Sequence, residues 1–157
     1  MDPADVTRVN RALNKLSKLY RAAKAHALAE FGLHPGQDVL LWVLAQAEDG
    51  MTISALADRL GVESPTATRS LKRMEKTGLF RRDPVPSDRR QVRIALTPQG
   101  RALIPRIERV WADLADTTLG PLSDDDLAVV VRALEQASEE LRGFVGGDHA
   151  RAVLAED

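Results

Sequence analysis

The first third of the chain has apolar residues three and four positions apart, which is the spacing of one face of an α-helix. Residues 4–31 follow this spacing and predict one long amphipathic helix, with Gly32 as its C-terminal stop. Pro35 suits the first position of a second helix, which Asp49 and Gly50 end. The pattern therefore predicts two consecutive helices in this part of the chain.

Two shorter helices follow, at the spacing of a helix-turn-helix. Thr52 and Ser64 are each placed to cap the start of a helix, and Gly61 lies in the turn between the two helices. The second of these helices ends at Gly78. Its predicted inward-facing residues are Ala67, Leu71 and Met74. The sequence therefore predicts a helix-turn-helix near the middle of the chain.

Beyond this unit the apolar residues alternate, as they do in β-strands. Residues 79–83 and 91–97 predict two strands, and the polar, proline-rich segment 84–89 predicts the hairpin tip between them, outside the core. Helical spacing returns over about 98–118, behind a predicted cap at Thr97, and again behind a predicted cap at Ser123. The predicted fold class is mainly α: an α+β winged helix-turn-helix of about six helices with a two-stranded β-hairpin wing.

Length and composition mainly exclude other classes of protein and site. The chain has 157 residues, of which 44% are hydrophobic and 29% charged, which suits a single globular domain. It has no cysteine, so disulfides, zinc–thiolate sites and thiol-based redox switches are excluded. It has no signal-peptide pattern and no apolar run near the ~20 residues that span a bilayer. We therefore expect a cytoplasmic protein without membrane contact.

The charge distribution adds a second observation, because it is uneven along the chain. The whole chain has a net charge of −1, but residues 64–93 contain nine lysines and arginines against three acids, a net charge of +6. The remaining residues therefore carry −7. A basic segment in an otherwise acidic protein is typical of a localised surface that binds phosphate groups.

The basic segment begins with the second short helix, over about 64–77, whose solvent-facing side combines small polar residues with cations. Small side chains allow the first turn of a helix to enter the ~12 Å major groove of DNA, and arginines there reach guanine edges. A solvated cationic face would have the same composition, but the preceding turn and the following hairpin favour a recognition helix. Its candidate DNA-contacting residues are Ser64, Pro65, Thr66, Thr68, Arg69, Lys72, Arg73 and Lys76.

The predicted hairpin tip contains a second candidate DNA contact. Asp88 has no attraction for phosphate, but it lies two positions before Arg90 and can brace that arginine across a tight turn. The braced guanidinium would enter the minor groove, and Arg89 would contact the groove or the DNA backbone. The alternative is a solvated turn with an incidental ion pair. The candidate wing contacts are therefore Asp88, Arg89 and Arg90.

The first and last helices have longer apolar faces than a small winged helix can cover. A second copy of the chain is the expected partner, because symmetric homodimers pair naturally with two DNA half-sites. In chain order we expect an N-terminal dimerisation helix, a winged-helix lobe that binds DNA, a linker with C-terminal dimerisation helices, and a flexible tail. The bounds of these segments are 1–34, 35–97, 98–145 and 146–157.

Several short sequences in the middle of the chain resemble the MarR family of bacterial transcriptional regulators. They begin with Gly-Leu-His-Pro-Gly-Gln at residues 32–37 and end with Leu-Thr-Pro-Gln-Gly at residues 96–100. Between these lie Leu56-Ala57, Leu60-Gly61-Val62, Leu71, Met74-Glu75, Gly78-Leu79 and Asp88-Arg89-Arg90. By helix order the resemblance extends over the whole chain.

This resemblance implies a function and a set of contacts. It implies a triangular dimer, joined through its first and last helices, that binds a pseudo-palindromic operator in double-stranded promoter DNA, usually as a repressor, and is released by small, often aromatic, effectors. The DNA contacts that it implies are Thr66, Thr68, Arg69 and Arg73, with Asp88 and Arg90 as the wing pair. Metal-sensing members need clustered ligands, which His26, His34 and His149 do not form. We therefore predict no metal and no cofactor.

Two tryptophans lie on helices that, by this resemblance, flank the cleft between the dimerisation helices and the winged-helix lobe. Core packing alone would account for Trp42 and Trp111. The alternative is that they stack against an aromatic effector, with His26 or His34 as polar partners. The sequence leaves both interpretations open.

Two other classes of function compete with DNA binding. An enzyme would need an activated nucleophile, paired catalytic carboxylates or a phosphate-binding glycine loop, and the sequence has no such pattern, so we predict that the protein is not an enzyme. A winged helix that only binds other proteins is the second alternative. Such a protein would need neither the basic recognition face nor the arginines of the wing, so mutation of those residues would leave its partner binding intact.

Overall fold

The computed structural model describes residues 2–85 and 88–146, without the side chains of residues 88–90, 145 and 146. The described part contains six α-helices and one three-stranded sheet. The helices are α1 (Pro3–Ala29), α2 (Gln37–Ala45), α3 (Ile53–Leu60), α4 (Ser64–Met74), α5 (Pro98–Leu119) and α6 (Asp124–Gly146). The strands are β1 (Met51–Thr52), β2 (Phe80–Val85) and β3 (Asp88–Leu96), and a 3-10 turn (Glu75–Thr77) follows α4. This order confirms the predicted winged helix-turn-helix.

A third strand joins the predicted hairpin. The strands are antiparallel in the order β1–β3–β2, with Met51 opposite Ile94 and Phe80 opposite Leu96. Alternation along the sequence could not reveal β1, because two residues are too few to show a period. The sheet therefore holds the wing to the start of α3, which immediately follows β1.

The expectation that segment 84–89 lies outside the core was wrong for Val85. The register of β2 against β3 is irregular between Pro84 and Val85, which marks a β-bulge. Phe80 and Val85 are an odd number of residues apart and would face opposite sides of a regular strand, yet both are buried. The bulge turns Val85 inward, so the wing has an apolar anchor near its tip.

Three predicted helix caps are confirmed by hydrogen bonds. The hydroxyl oxygens of Thr52 and Ser123 each accept from the amide three residues further on, both at 3.2 Å. The hydroxyl of Thr97 accepts from the Gly100 amide at 3.1 Å and donates to the Gly78 carbonyl at 2.7 Å. Thr97 therefore fixes the start of α5 against the end of the helix-turn-helix.

Two predicted helix starts were wrong by one or two residues. α2 begins two residues after Pro35, because Gly36 adopts a left-handed φ of 95° and the Asp38 carboxylate accepts from its amide at 2.8 Å. Ser64 is the first residue of α4 rather than its cap. Glu63 precedes it in an extended conformation and caps the helix with no side-chain hydrogen bond.

Contacts divide the chain into two compact units, residues 1–114 and residues 115–157. The core of the first unit is built from large aliphatic side chains that are at most 1% exposed. They include Leu28, Leu40, Leu41, Leu44, Leu56, Leu71, Met74, Ile94, Leu96 and Ile107. Each fully buried side chain of this size contributes about 1.5–3 kcal/mol, so this cluster holds the helix-turn-helix and the sheet as one rigid support.

Helices α1 and α6 each have several exposed apolar residues. The exposed apolar residues of α1 are Val6, Val9, Leu13, Leu16, Leu19 and Tyr20. The second unit contains α6, in which no described side chain is buried. Its exposed apolar residues include Leu127, Val131, Leu134, Leu141 and Phe144. Faces of this size are typical of an interface with another chain.

Candidate nucleic-acid interface

Helix α4 has one buried apolar face and one exposed polar face. Ala67, Leu71 and Met74 are each at most 1% exposed, as the spacing of apolar residues predicts. The eight residues proposed from the sequence as recognition-helix contacts are all exposed. The structure therefore brings these eight side chains together on one accessible surface, which we call the recognition face.

The turn between α3 and α4 fixes the position of the recognition face. Gly61 adopts a left-handed φ of 66°, in which a residue with a side chain would be strained. The amide of Val62 donates to the Ala57 carbonyl at 3.0 Å, so the chain leaves α3 through a hydrogen-bonded turn. Rigid backbone and a buried apolar face, rather than a loop, therefore hold α4.

The cations near this surface form two groups. Arg81 contacts Asp83 at 2.8 Å and Arg82 contacts Glu75 at 3.5 Å, so each has an acidic partner. In the described part of the chain, the four cations of the recognition face form no ion pair. These four are Arg69, Lys72, Arg73 and Lys76. Their charges are therefore available to phosphates and base edges.

The candidate wing residues Asp88, Arg89 and Arg90 lie at the start of β3. Their backbone belongs to the strand rather than to the hairpin tip, so the wing strands are longer than the sequence suggested. Their side chains, like Pro86 and Ser87 of the tip, lie outside the described residues. The pairing of Asp88 with Arg90 therefore stays a prediction.

A cavity of about 350 Å³ lies beside α4. Its lining includes Thr66, Ser70 and Arg73 from α4, together with His34 and Gly36 from the segment before α2. The rest of the lining is mainly aliphatic. Of the candidate effector residues, His34 therefore lies at a cavity that also borders the recognition face.

The two candidate tryptophans contact each other. The ring centroids of Trp42 and Trp111 are 5.7 Å apart with planes tilted by 54°, and both side chains are half-buried. Both indole N–H groups have acceptors: Trp42 donates to Glu108 at 3.1 Å and Trp111 donates to Asp38 at 2.8 Å. His26 is exposed on α1. The structure therefore brings together the tryptophans of the proposed effector set, while His34 lines the separate cavity beside α4.

Sequence analysis missed Asp38, which is fully buried at the start of α2. Its Oδ2 contacts the Lys24 Nζ at 2.7 Å as well as the Trp111 indole, and its Oδ1 accepts from the Gly36 amide. We call Lys24, Asp38 and Trp111 the Asp38 cluster. The available signal was a single acid directly before the apolar stretch from residue 39 to residue 45.

A helix-turn-helix that is followed by a β-hairpin and has a basic, solvent-facing second helix defines the class of fold: a winged helix-turn-helix. The model of the MarR family matches residues 33–92, which run from just before α2 into β3. Over these residues the chain is similar to the MarR family.

Solved structures with this fold extend the likeness beyond the matched residues. AbsC, a MarR family transcriptional regulator from Streptomyces coelicolor, has a TM-score of 0.79 and 24% identity over 91% of this chain and 97% of its own. MepR from S. aureus, in a complex with DNA, has a TM-score of 0.76 and 21% identity over 83% of this chain and 96% of its own. CouR from Rhodococcus jostii RHA1, bound to p-coumaroyl-CoA, has a TM-score of 0.70 and 21% identity over 85% of this chain and 91% of its own. At these identities the likeness establishes the fold.

Among the described residues, no group of three or more histidines and acids is arranged to hold a metal ion. None of the helices in that part of the chain combines the length and apolar character needed to cross a membrane.

Proposed function

We propose that this protein is a homodimeric regulator that binds double-stranded DNA sequence-specifically, with α4 in the major groove and the wing in the minor groove. The observation that carries the proposal is the recognition face, where all eight candidate contacts are exposed and the four cations among them form no ion pair with a described residue. A basic helix that rests on a rigid apolar core can enter the groove without rearranging.

The residues of the recognition face differ in the length of their side chains, and this difference assigns them different roles. Ser64, Pro65, Thr66 and Thr68 are short and lie in the first two turns of α4, where they allow the helix to approach the bases closely. Arg69 and Arg73 are long enough to contact guanine edges with two hydrogen bonds each. Lys72 and Lys76 contact phosphates, which position the helix without reading the sequence.

The wing adds a contact on the neighbouring groove. Arg90, oriented by Asp88, enters the minor groove, and Arg89 contacts the groove wall or the backbone. Exchange of Arg90 for alanine should therefore weaken DNA binding with little change in major-groove base preference. Binding of wild type and variant to operators that differ by single bases measures this.

Dimerisation follows from the exposed apolar faces of α1 and α6. A second copy that covers them would place two recognition helices in successive major grooves, with centres about 10 base pairs apart. The operator should accordingly be pseudo-palindromic. The similar structures of MepR in a complex with DNA and of CouR bound to p-coumaroyl-CoA support both a DNA ligand and an effector.

The effector that we propose is a small aromatic molecule whose binding releases the DNA. One location is the cavity beside α4, where His34 and Arg73 are available to an acidic group and a ligand would compete with DNA for Arg73. The second location is the pair of Trp42 and Trp111, with His26 as a polar partner. As a protein that blocks promoter DNA until such a ligand binds, it would act as a repressor in the cytoplasm.

A salt titration tests the proposal. Purified protein is bound to the intergenic DNA upstream of its own gene and to scrambled DNA of equal length, while its molar mass is recorded. We expect a dimer that prefers its own DNA and whose affinity falls steeply with salt, because binding releases counterions. Equal, weak binding to both DNAs would contradict sequence-specific recognition at that site and favour a winged helix that binds a protein partner.

A further inference from the structure

We propose that the Asp38 cluster sets the angle of α1 against the winged-helix lobe and thereby the distance between the two recognition helices of the dimer. Lys24 and Asp38 would be positioning residues: they do not touch DNA, but they determine which spacing of half-sites the dimer accepts. This inference rests on the proposed function, because it requires a homodimer that binds two half-sites.

Helix α1 packs against the rest of the first unit near its own C-terminal end. Leu28 is its one buried residue, and among its residues up to Ala23 all but the half-buried Asp5 are exposed. Lys24 lies one turn before Leu28 and is the first residue of α1 with an ionic contact to another element. Two neighbouring turns of α1 therefore determine its direction.

The length of α1 converts a small change of angle into a large displacement. From Lys24 to Pro3 the helix extends about 31 Å, at 1.5 Å per residue. A tilt of about 5° at Leu28 would move its far end by about 3 Å, close to the rise of a base pair along DNA. Because the exposed face of α1 is the proposed dimer contact, such a tilt would shift one lobe relative to the other.

The chemistry of the Asp38 cluster suits a positional role. The carboxylate is fully buried and receives three donors from three elements: Lys24 of α1, Trp111 of α5 and the amide of Gly36 before α2. The Lys24 ammonium also lies 5.3 Å from the centroid of the Trp111 ring and 5.9 Å from that of Tyr20. A single apolar contact such as that of Leu28 holds the helix at a distance without fixing its angle, whereas directed hydrogen bonds also fix the angle.

Stability alone does not explain a buried ion pair at this position. Taking two charges out of water costs about as much as their attraction returns, so well-packed apolar residues would hold α1 equally firmly. What the ion pair adds is a fixed direction of α1 against the lobe. Gly36, whose amide donates to the other oxygen of Asp38, also lines the cavity beside α4, so the same carboxylate orders a segment next to the recognition helix.

The test measures spacing preference rather than affinity. The operator recovered from the upstream DNA is made in versions with one base pair inserted or deleted between its half-sites. The variant is the double exchange K24M/D38N, which removes the ion pair without leaving a buried charge. The control is Glu108→Ala, which removes the hydrogen bond between α2 and α5 through Trp42 and leaves the contacts of α1 intact.

We expect wild type and Glu108→Ala to lose about tenfold or more in affinity when the spacing changes by one base pair. The double variant should lose less than about threefold, because its lobes can adjust to either spacing. Molar mass and thermal melting show that each protein is a folded dimer. If the double variant does not fold, Asp38→Asn replaces it, because the Lys24 side chain is 14% exposed and its ammonium can then turn to water. Lys24→Arg, which keeps the charge, should retain the wild-type preference.

A folded, dimeric K24M/D38N protein with the wild-type spacing preference would overturn the positional role while leaving the proposed function intact. A wild-type protein that shows no preference for its own DNA would overturn the proposed function itself, and the positional role with it. A general loss of stability would lower the affinity for every spacing equally. A smaller difference in affinity between spacings therefore indicates the positional role and not a loss of stability.

Discussion

The recognition face and the Asp38 cluster use charged side chains in opposite ways. On the recognition face, Arg69 and Arg73 are exposed and form no ion pair with a described residue. In the cluster, the Asp38 carboxylate is fully buried and the Lys24 side chain is 14% exposed, with a contact of 2.7 Å between them. Charges without a protein partner remain available to a ligand, whereas charges that satisfy each other define the geometry of the fold.

The largest change in stability should come from removing one partner of the buried ion pair. Lys24→Met leaves the Asp38 carboxylate in the core with two neutral donors, so the free energy of unfolding should fall by about 3–5 kcal/mol. Urea denaturation measures it. Arg8→Met is the matched control on the same helix, because Arg8 contacts Asp5 at 3.3 Å at the surface, where a pair contributes little. Equal, small losses in both variants would contradict the structural role of the cluster.

The next largest effect should come from the arginines of the recognition face, whose exchange should weaken DNA binding without changing stability. Arg69→Ala and Arg73→Ala should each cost about 1–3 kcal/mol of binding free energy and relax base preference at one position in each half-site. Their free energies of unfolding should stay within about 0.5 kcal/mol of wild type, because both side chains are exposed. Binding to a set of single-base operator variants measures the base preference. Denaturation of the same proteins would show whether a weaker affinity comes only from a loss of stability.

A smaller and different effect is expected from the lysines of the recognition face. Lys72→Ala and Lys76→Ala should weaken binding to all DNA sequences by similar factors, because phosphates are the same in every sequence. Each exchange should lower the slope of log affinity against log salt by about 0.9. A salt titration measures the slope, and an unchanged slope would show that the lysine does not contact phosphate.

The smallest effect should come from the paired arginine of β2. Arg82 contacts Glu75 at 3.5 Å, and both side chains are partly exposed. Arg82→Ala should change the free energy of unfolding by less than about 1 kcal/mol, and binding should keep its wild-type base preference. A relaxed base preference in this variant would mean that the division between paired and unpaired cations does not predict DNA contacts.

Local signals were sufficient to predict the elements that carry the recognition face. The period of Ala67, Leu71 and Met74 predicted which side of α4 is buried, and Gly61 and Gly78 marked the turn and the end. These features depend on neighbours a few residues apart, so the sequence alone displays them. The charges of the basic segment were equally visible, although the partners of Arg81 and Arg82 were not.

The Asp38 cluster and the inward turn of Val85 could not be predicted in the same way. Lys24, Asp38 and Trp111 are distant in sequence and meet only when three helices pack, so none of them has a local pattern that names its partner. Val85 is buried because a bulge reverses the side of the strand on which it lies. Both features depend on tertiary contacts, which a one-dimensional pattern does not contain.

The measurement that tests the central claim most directly is the ratio of affinities for the upstream DNA and for scrambled DNA, taken at one salt concentration with wild type and the double exchange R69A/R73A. If the recognition face reads the DNA sequence, wild type should prefer its own DNA by about a thousandfold or more. The double variant should lose most of that preference while remaining a folded dimer. A preference of the same size in both proteins would contradict the claim.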